Sequence, residues 1–257
     1  DTRTSPDIWG RVSEAMRKIN PRFALFSGDM IADGRQFDRW RPEFFEPGRA
    51  LLATVPMYEV MGNHEHNCGM VPLMFKTPGG GKNWSQTIAN VQILGVDGAL
   101  DWAHNRDLRA WLERELSTSR ADFIFLADHY PPWSSSKHGL TRAGKPVEEQ
   151  ARNARDAILP LLARYHATAM ICGHDHDYER SELPEGVTVI VTGGGGAPLY
   201  SKLPDASLHN PYSKAFASRN HFCHFIADDS ACVMKVLTTD GAILDTRTWE
   251  PRVLDTE

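Results

Sequence analysis

An α/β protein built from two packed mixed β-sheets flanked by helices is what this sequence predicts, and three observations carry the prediction. Apolar runs of strand length alternate with amphipathic helical stretches as far as residue 172. From residue 187 onward the pattern changes to strands separated by glycine-containing turns. Polar motifs rich in Asp, Asn and His close several of the strands, at the ends where open α/β sheets form their ligand crevices.

The elements follow in order. Residues 6–19 are predicted helical, with Pro6 in the first turn and Ile8, Val12, Ala15, Met16 and Ile19 forming one apolar stripe. Residues 22–27 form a short buried strand that ends at Gly28-Asp29, and 36–45 a second helix carrying Phe37, Trp40, Phe44 and Phe45. A strand at 57–61 ends in Gly62-Asn63-His64-Glu65, and the Gly- and Pro-rich residues 67–83 are a loop. Strands at 85–89 and 91–96, a helix at 105–117 and a strand at 122–127 lead to Asp128-His129. Helical periodicity returns over 148–165, where Pro160 predicts a kink or break. The strand at 168–172 ends in Gly173-His174-Asp175-His176, and strands follow at 187–192, 222–227, 232–238 and 243–247.

Composition narrows the function. The 257 residues carry 28 Lys and Arg against 33 Asp and Glu, a net charge of −5 without a basic block. A duplex groove needs clustered cations, so nucleic acid is excluded as the main partner. No apolar run is long enough to span a bilayer. Four cysteines are too few for a disulfide framework; Cys172 reads as a buried thiol, and Cys223 and Cys232 lie on neighbouring strands. No repeat or low-complexity linker interrupts the chain, so 1–257 reads as a single domain.

In strand order, the polar ends are Asp1, Gly28-Asp29, Gly62-Asn63-His64-Glu65, His129 and Gly173-His174-Asp175-His176. Carboxylate and amide oxygens combined with imidazole nitrogens suit Zn, Mn or Fe better than Ca or Mg. Glycine ahead of the polar residue lets the chain leave its strand sharply and removes bulk from the site.

This pattern resembles the calcineurin-like metallophosphoesterase superfamily over nearly the whole chain. Residues 173–180, "GHDHDYER", and 193–200, "GGGGAPLY", look most like the catalytic domains of purple acid phosphatases. The resemblance implies hydrolysis of a small phosphate ester, mono- or diester, by a hydroxide activated at a dinuclear site of two transition-metal ions. It implies that Asp29 bridges the metals, that Asp1 and His176 hold the first, and that Asn63, His129 and His174 hold the second. His64 is then a catalytic group that donates to a phosphate oxygen or protonates the leaving group. His138, nine residues after His129, is placed to face substrate, and an extracytoplasmic location is implied. The competing readings are a nuclease and a degenerate scaffold that binds a partner without turnover.

The sequence also departs from the family. Its Asp-x-His motif reads Asp1-Thr2-Arg3, and the tyrosine that purple acid phosphatases place three residues after the bridging Asp is Ala32, so a purple ferric site is not expected. The first metal is left with Asp1, Asp29 and His176 and is expected to bind weakly. Arg3 either contacts the substrate phosphate through its planar fork or is structural. The family's strand ahead of Asp1 lies outside the sequence, and an Asp at a chain end is expected to be loosely held. His66 lines the pocket or is solvated; His104, His166, His209 and His224 read as non-site residues, and His221 as core or edge. Trp133 and Tyr200 are candidates for contact with the organic part of a substrate. Trp40, Trp84, Trp102, Trp111 and Trp249 read as packing, and 193–196 as a tight turn.

Overall fold

The computed structural model describes residues 1–65 and 68–253. Helix α1 (Pro6–Lys18) buries Trp9 and Val12, as its apolar stripe predicts. Strand β1 (Ala24–Phe26) follows, then α2 (Phe37–Trp40), a wide π-type turn at Arg41–Phe45, and α3 (Glu46–Leu52). The predicted second helix thus continues past residue 45, because Leu51 supplies a further buried contact beyond Phe44. Strand β2 (Met57–Glu59) pairs parallel with β1. After α4 (Val71–Met74) come β3 (Trp84–Ile88), β4 (Val91–Gly95), α5 (Arg106–Ser117) and β5 (Phe123–Ala127). Asn105 caps α5 by accepting from the N–H groups of Asp107 and Leu108.

A two-stranded hairpin, β6 (Thr141–Arg142) and β7 (Lys145–Pro146), leads into α6 (Glu149–Asn153) and α7 (Leu159–Arg164). The break predicted at Pro160 is present. A wide turn at Ala154–Ile158 separates the two helices, and Pro160 sits in the first turn of α7, where a missing N–H costs nothing. Strands β8 (Ala169–Cys172), β9 (Tyr178–Glu182), β10 (Thr188–Thr192), β11 (Ser213–Ala217), β12 (His221–Ala227), β13 (Cys232–Thr238) and β14 (Ile243–Trp249) complete the fold.

Seven strands form the main sheet in the order β11-β9-β10-β8-β5-β4-β3, with the parallel strands in the middle. One face carries Leu94, Ile124, Leu126 and Met170 against Leu112 and Leu116 of α5 and Leu162 of α7. The other face presents Phe123, Phe125 and Ile171 to Met234, Val236 and Trp249 of the antiparallel β12-β13-β14 sheet. Beyond β1, the aromatic cluster of Trp9, Phe26 and Phe44 seats α1 and the α2–α3 segment. The result is a mixed α/β sandwich with helices outside, the predicted class. An apolar groove runs between β1 and β12, lined by Leu25, Ile171, Phe222 and Phe225.

Strands β9 and β11 escape the sequence reading because Tyr178–Glu182 is mostly charged and polar, although Tyr178, Glu179 and Ser181 are buried. Cys223 faces Val236 and Cys232 faces Ala227 across the hairpin, so these two thiols are not partners. All four cysteines are free. Among the described residues no helix is long and apolar enough to cross a membrane.

Candidate metal centre and active site

Two strand-end turns are fastened together by one buried carboxylate. Glu65 accepts from the N–H groups of Asp29 (2.9 Å), Met30 (2.8 Å) and Gly62 (2.7 Å), which locks the ends of β1 and β2 side by side. Asp29 takes a left-handed backbone, φ 53°, a conformation costly for a non-glycine residue and held by its surroundings. Its Oδ1 accepts from the His64 N–H at 2.9 Å. A side chain on Gly62 would collide with that oxygen, which accounts for glycine there.

Around Asp29 Oδ1 stand three further donor groups. His129 Nε2 lies 3.4 Å from Asp29 Oδ1, 3.1 Å from Asn63 Oδ1 and 3.2 Å from His174 Nδ1. The opposite ring nitrogens are committed elsewhere. His129 Nδ1 donates to the Ser27 carbonyl at 2.7 Å, and His174 Nε2 donates to Glu148 Oε2 at 2.9 Å. The remaining ring nitrogens of His129 and His174 therefore face each other and two oxygens. Burial pushes the His129 imidazole down to about 3, so it is neutral at ordinary pH. Four electron-pair donors this close repel one another unless a cation lies among them, and one carboxylate, one amide and two imidazoles suit a transition metal. These residues fit the metal that the sequence implies at the second position.

The first position differs. Asp1, expected to be loose, is buried and fixed: its Oδ2 accepts from the His174 N–H at 2.9 Å, and its carbonyl accepts from Ala197. Asp1, Asp29 and His176 offer donor atoms within 4.8 Å of one another. Arg3, however, reaches among them. Its Nη2 lies 3.1 Å from His176 Nε2, and its Nε lies 3.5 Å from Asp29 Oδ2. His176 Nδ1 donates to the Pro198 carbonyl at 2.7 Å, and burial, reinforced by Arg3, pushes the ring down to about 3. Burial alone would raise Asp29; the imidazoles of His129 and His64 and the His64 N–H outweigh it and hold the carboxyl below the ordinary range.

His64 sits at the rim. Its Nδ1 donates to the carbonyl of Ala32 at 2.6 Å, and its Nε2 lies 3.8 Å from Asp29 Oδ2. His138 stacks on His174 with ring centroids 3.7 Å apart, and its Nδ1 donates to Glu148 Oε1 at 2.6 Å. Glu148, which the sequence reading missed, therefore spends one oxygen on each ring. Burial alone would raise it, but the hydrogen bonds from His138 and His174 hold its carboxyl well below the usual range. It comes from the start of α6, 26 residues before His174, and no motif marks it.

The acidic residues between the histidines explain how His138 arrives. Asp175 Oδ1 accepts from the His138 N–H (3.0 Å), Asp177 from Ser136 Oγ (2.5 Å), and Glu179 from the N–H and hydroxyl of Ser135. The segment HDHDYE thus turns its histidines to the site and uses its acids to tie down the loop after His129. Tyr200 stacks on His176 at 4.1 Å, at the rim as expected. Trp133 is not there: it packs between Arg155 (3.5 Å) and Tyr212 (4.9 Å), where a cation and a ring edge cover its faces. His221 is core, with Nε2 against Thr192 and Nδ1 against the Arg219 carbonyl. His66 lies outside the described residues.

Residues 5–178 match the family model for the calcineurin-like phosphoesterase. The chain is 29% identical over 217 residues to human tartrate-resistant acid phosphatase type 5, covering 73% of this chain and 63% of that protein. It thus spans about six-tenths of the length of that relative. Among solved structures, a purple acid phosphatase from yellow lupin seeds superposes with a TM-score of 0.82 at 19% identity, covering 96% of this chain and 49% of the other. GAP50, the anchor in the inner membrane complex of Plasmodium, superposes with a TM-score of 0.74 at 16% identity, covering 98% and 86%. At those identities the superpositions speak to fold alone. Sequence match and fold agree: this chain belongs to the calcineurin-like phosphoesterase family.

Proposed function

We propose that this protein hydrolyses phosphate esters, monoesters or small diesters, at the cluster formed by Asp29, Asn63, His129 and His174. The observation that carries this reading is the convergence of Asp29 Oδ1, Asn63 Oδ1 and His174 Nδ1 on His129 Nε2, with the other ring nitrogen of each histidine already anchored. A divalent transition metal held by them would lower the pKa of a water molecule toward neutral and polarise a phosphoryl oxygen.

The other residues take roles set by their positions. His64 keeps its Nδ1 proton on the Ala32 carbonyl, and as an imidazolium it would pass its second proton from Nε2 to the leaving oxygen and return to the neutral ring. His138, with Nδ1 held by Glu148, turns Nε2 to the ester, to which it would donate as an imidazolium. Arg3 sets a permanent positive charge beside the bridging Asp29, where phosphoryl oxygens gain charge as the ester bond breaks. Lys137 and Tyr200, paired at the rim at 3.4 Å, are available to the organic part of the substrate.

A binding scaffold without turnover is the second reading, favoured by the arginine that intrudes on the first position. Hydrolysis assays separate the two. With Zn²⁺, Mn²⁺ or Fe²⁺ supplied, 4-nitrophenyl phosphate or bis(4-nitrophenyl) phosphate is turned over on the first reading. No release of nitrophenolate from either ester with any of the three metals supports the second.

A further inference from the structure

The lone pair that His176 would offer a metal is already taken. His176 Nδ1 faces the Pro198 carbonyl, an acceptor only, so this nitrogen carries the ring proton. Nε2, across the ring from that proton, meets Arg3 Nη2 at 3.1 Å, a donor that does not lose its proton in a protein, so Nε2 is the acceptor of this pair. The same guanidinium brings Nε to 3.5 Å from Asp29 Oδ2, the oxygen on the opposite side of the carboxylate from the one that faces His129. Asp29 therefore bridges two cationic positions, and at one of them the cation is a side chain.

Arg3 is held in this place by the backbone. The N–H groups of Thr2 and Arg3 both donate to the Asp29 carbonyl, at 3.1 and 3.3 Å, and Thr2 Oγ1 donates to the Met30 carbonyl at 3.0 Å. The arginine side chain is mostly buried, with 16% of its surface exposed. Asp1 Oδ1 keeps no hydrogen-bond partner among the described residues and lies 3.7 Å from His176 Nε2. Two of the three groups that would hold a first metal, His176 and Asp29, thus lie against a monovalent organic cation. They do not fit a second metal ion in addition, because a divalent ion among them would meet the fixed charge of Arg3 at contact distance and would find His176 Nε2 engaged.

We propose that the Arg3 guanidinium takes the place of the first metal ion, so that the site works with one metal ion and one built-in cation. The proposal deepens the phosphoesterase reading, on which it rests, but it is decided by metal count and not by turnover. An arginine at this position gives a planar pair of N–H donors, which suits two oxygens of one phosphoryl group, and it cannot be stripped by a chelator.

The test is a titration of the metal-free full chain with Mn²⁺ alone, followed by calorimetry and by electron paramagnetic resonance. The proposal expects one ion per chain and the spectrum of an isolated Mn²⁺. It expects Arg3→His, which replaces the guanidinium with a ligand, to take two ions per chain with the spectrum of a coupled pair. It also expects His176→Ala to keep its single ion, with affinity changed by less than about tenfold, the lower bound for loss of a group that supports a ligand. Two ions per chain in the unaltered protein, or loss of an ion in His176→Ala, would overturn it. Should Arg3→His fail to fold, the unaltered protein and His176→Ala decide alone. If the unaltered chain binds one ion yet hydrolyses no ester, the phosphoesterase reading fails and the substitution of Arg3 for a metal stands.

Discussion

His174 Nε2 donates to Glu148 Oε2 at 2.9 Å, and this bond determines which nitrogen of His174 faces the site. With Nε2 protonated, Nδ1 carries the electron pair that joins His129, Asn63 and Asp29. The second oxygen of the same carboxylate holds His138 Nδ1 at 2.6 Å, so one acid orients the rings of His174 and His138 together.

Glu148→Gln keeps the shape but removes the charge; its amide oxygen can accept from one ring only, and its N–H₂ then faces the donor of the other. The expected outcome is a metal affinity weaker by about 10- to 100-fold, the usual scale for a partner of a ligating histidine. Turnover at saturating metal should fall as well, because His138 loses its anchor. Zinc titration with a competing indicator checks the first effect. Unchanged affinity would show that Glu148 is only a surface acid.

In the proposed reaction His64 serves the leaving group without holding metal. His64→Ala is expected to retain its metal and lose about 100-fold or more in turnover, the scale of a positioned acid–base group. The loss should shrink for nitrophenolate, which departs without needing a proton, and grow for alkyl esters. Rates measured across a series of leaving groups decide this; an equal loss throughout would assign His64 to phosphate binding instead.

Glu59 gives a pH dependence separate from the chemistry. Burial, with Glu65 and Asp97 nearby, pushes its carboxyl up to about 7, against an ordinary value of 4.5. The folded chain therefore holds this proton more tightly than the unfolded chain does. Its contribution is complete below about 4.5 and is lost as pH rises through 7, amounting to roughly 3 kcal/mol across that window. Glu59→Gln should remove this pH dependence and make the protein more stable than the parent at pH 8. Urea melts of both proteins at pH 5 and 8 test it, and parallel pH profiles would refute it.

The strand ends were the legible part of this molecule. Asp29, Asn63, His129, His174 and His176 each follow an apolar strand, and a sheet brings such ends together whatever the loops do. The helix start at Pro6 and the break at Pro160 were legible for a similar local reason, since proline restricts its own backbone. Glu148 was not legible, because a hairpin separates it in sequence from His138, and two helices and a strand separate it from His174. The position of Arg3 was not either: its motif showed a missing ligand, but side-chain reach placed the guanidinium against His176. Strand β9 was hidden because Tyr178–Glu182 carries three charged side chains and no apolar run, although its Glu179 is buried and fastens Ser135. Trp133 was misplaced because closeness in sequence to His129 does not fix the direction of a loop side chain.

Hydrolysis of 4-nitrophenyl phosphate by the unaltered chain and by His174→Ala, each with and without a chelator, tests the account most directly. His174 contributes a donor to the cluster and also fixes Asp1 through its N–H, so only the ring is lost on substitution and the backbone bond remains. The account predicts turnover that stops with the chelator, returns with Zn²⁺ or Mn²⁺, and is absent from His174→Ala together with its bound metal. Chelator-resistant hydrolysis, or full turnover and metal content in His174→Ala, would contradict it.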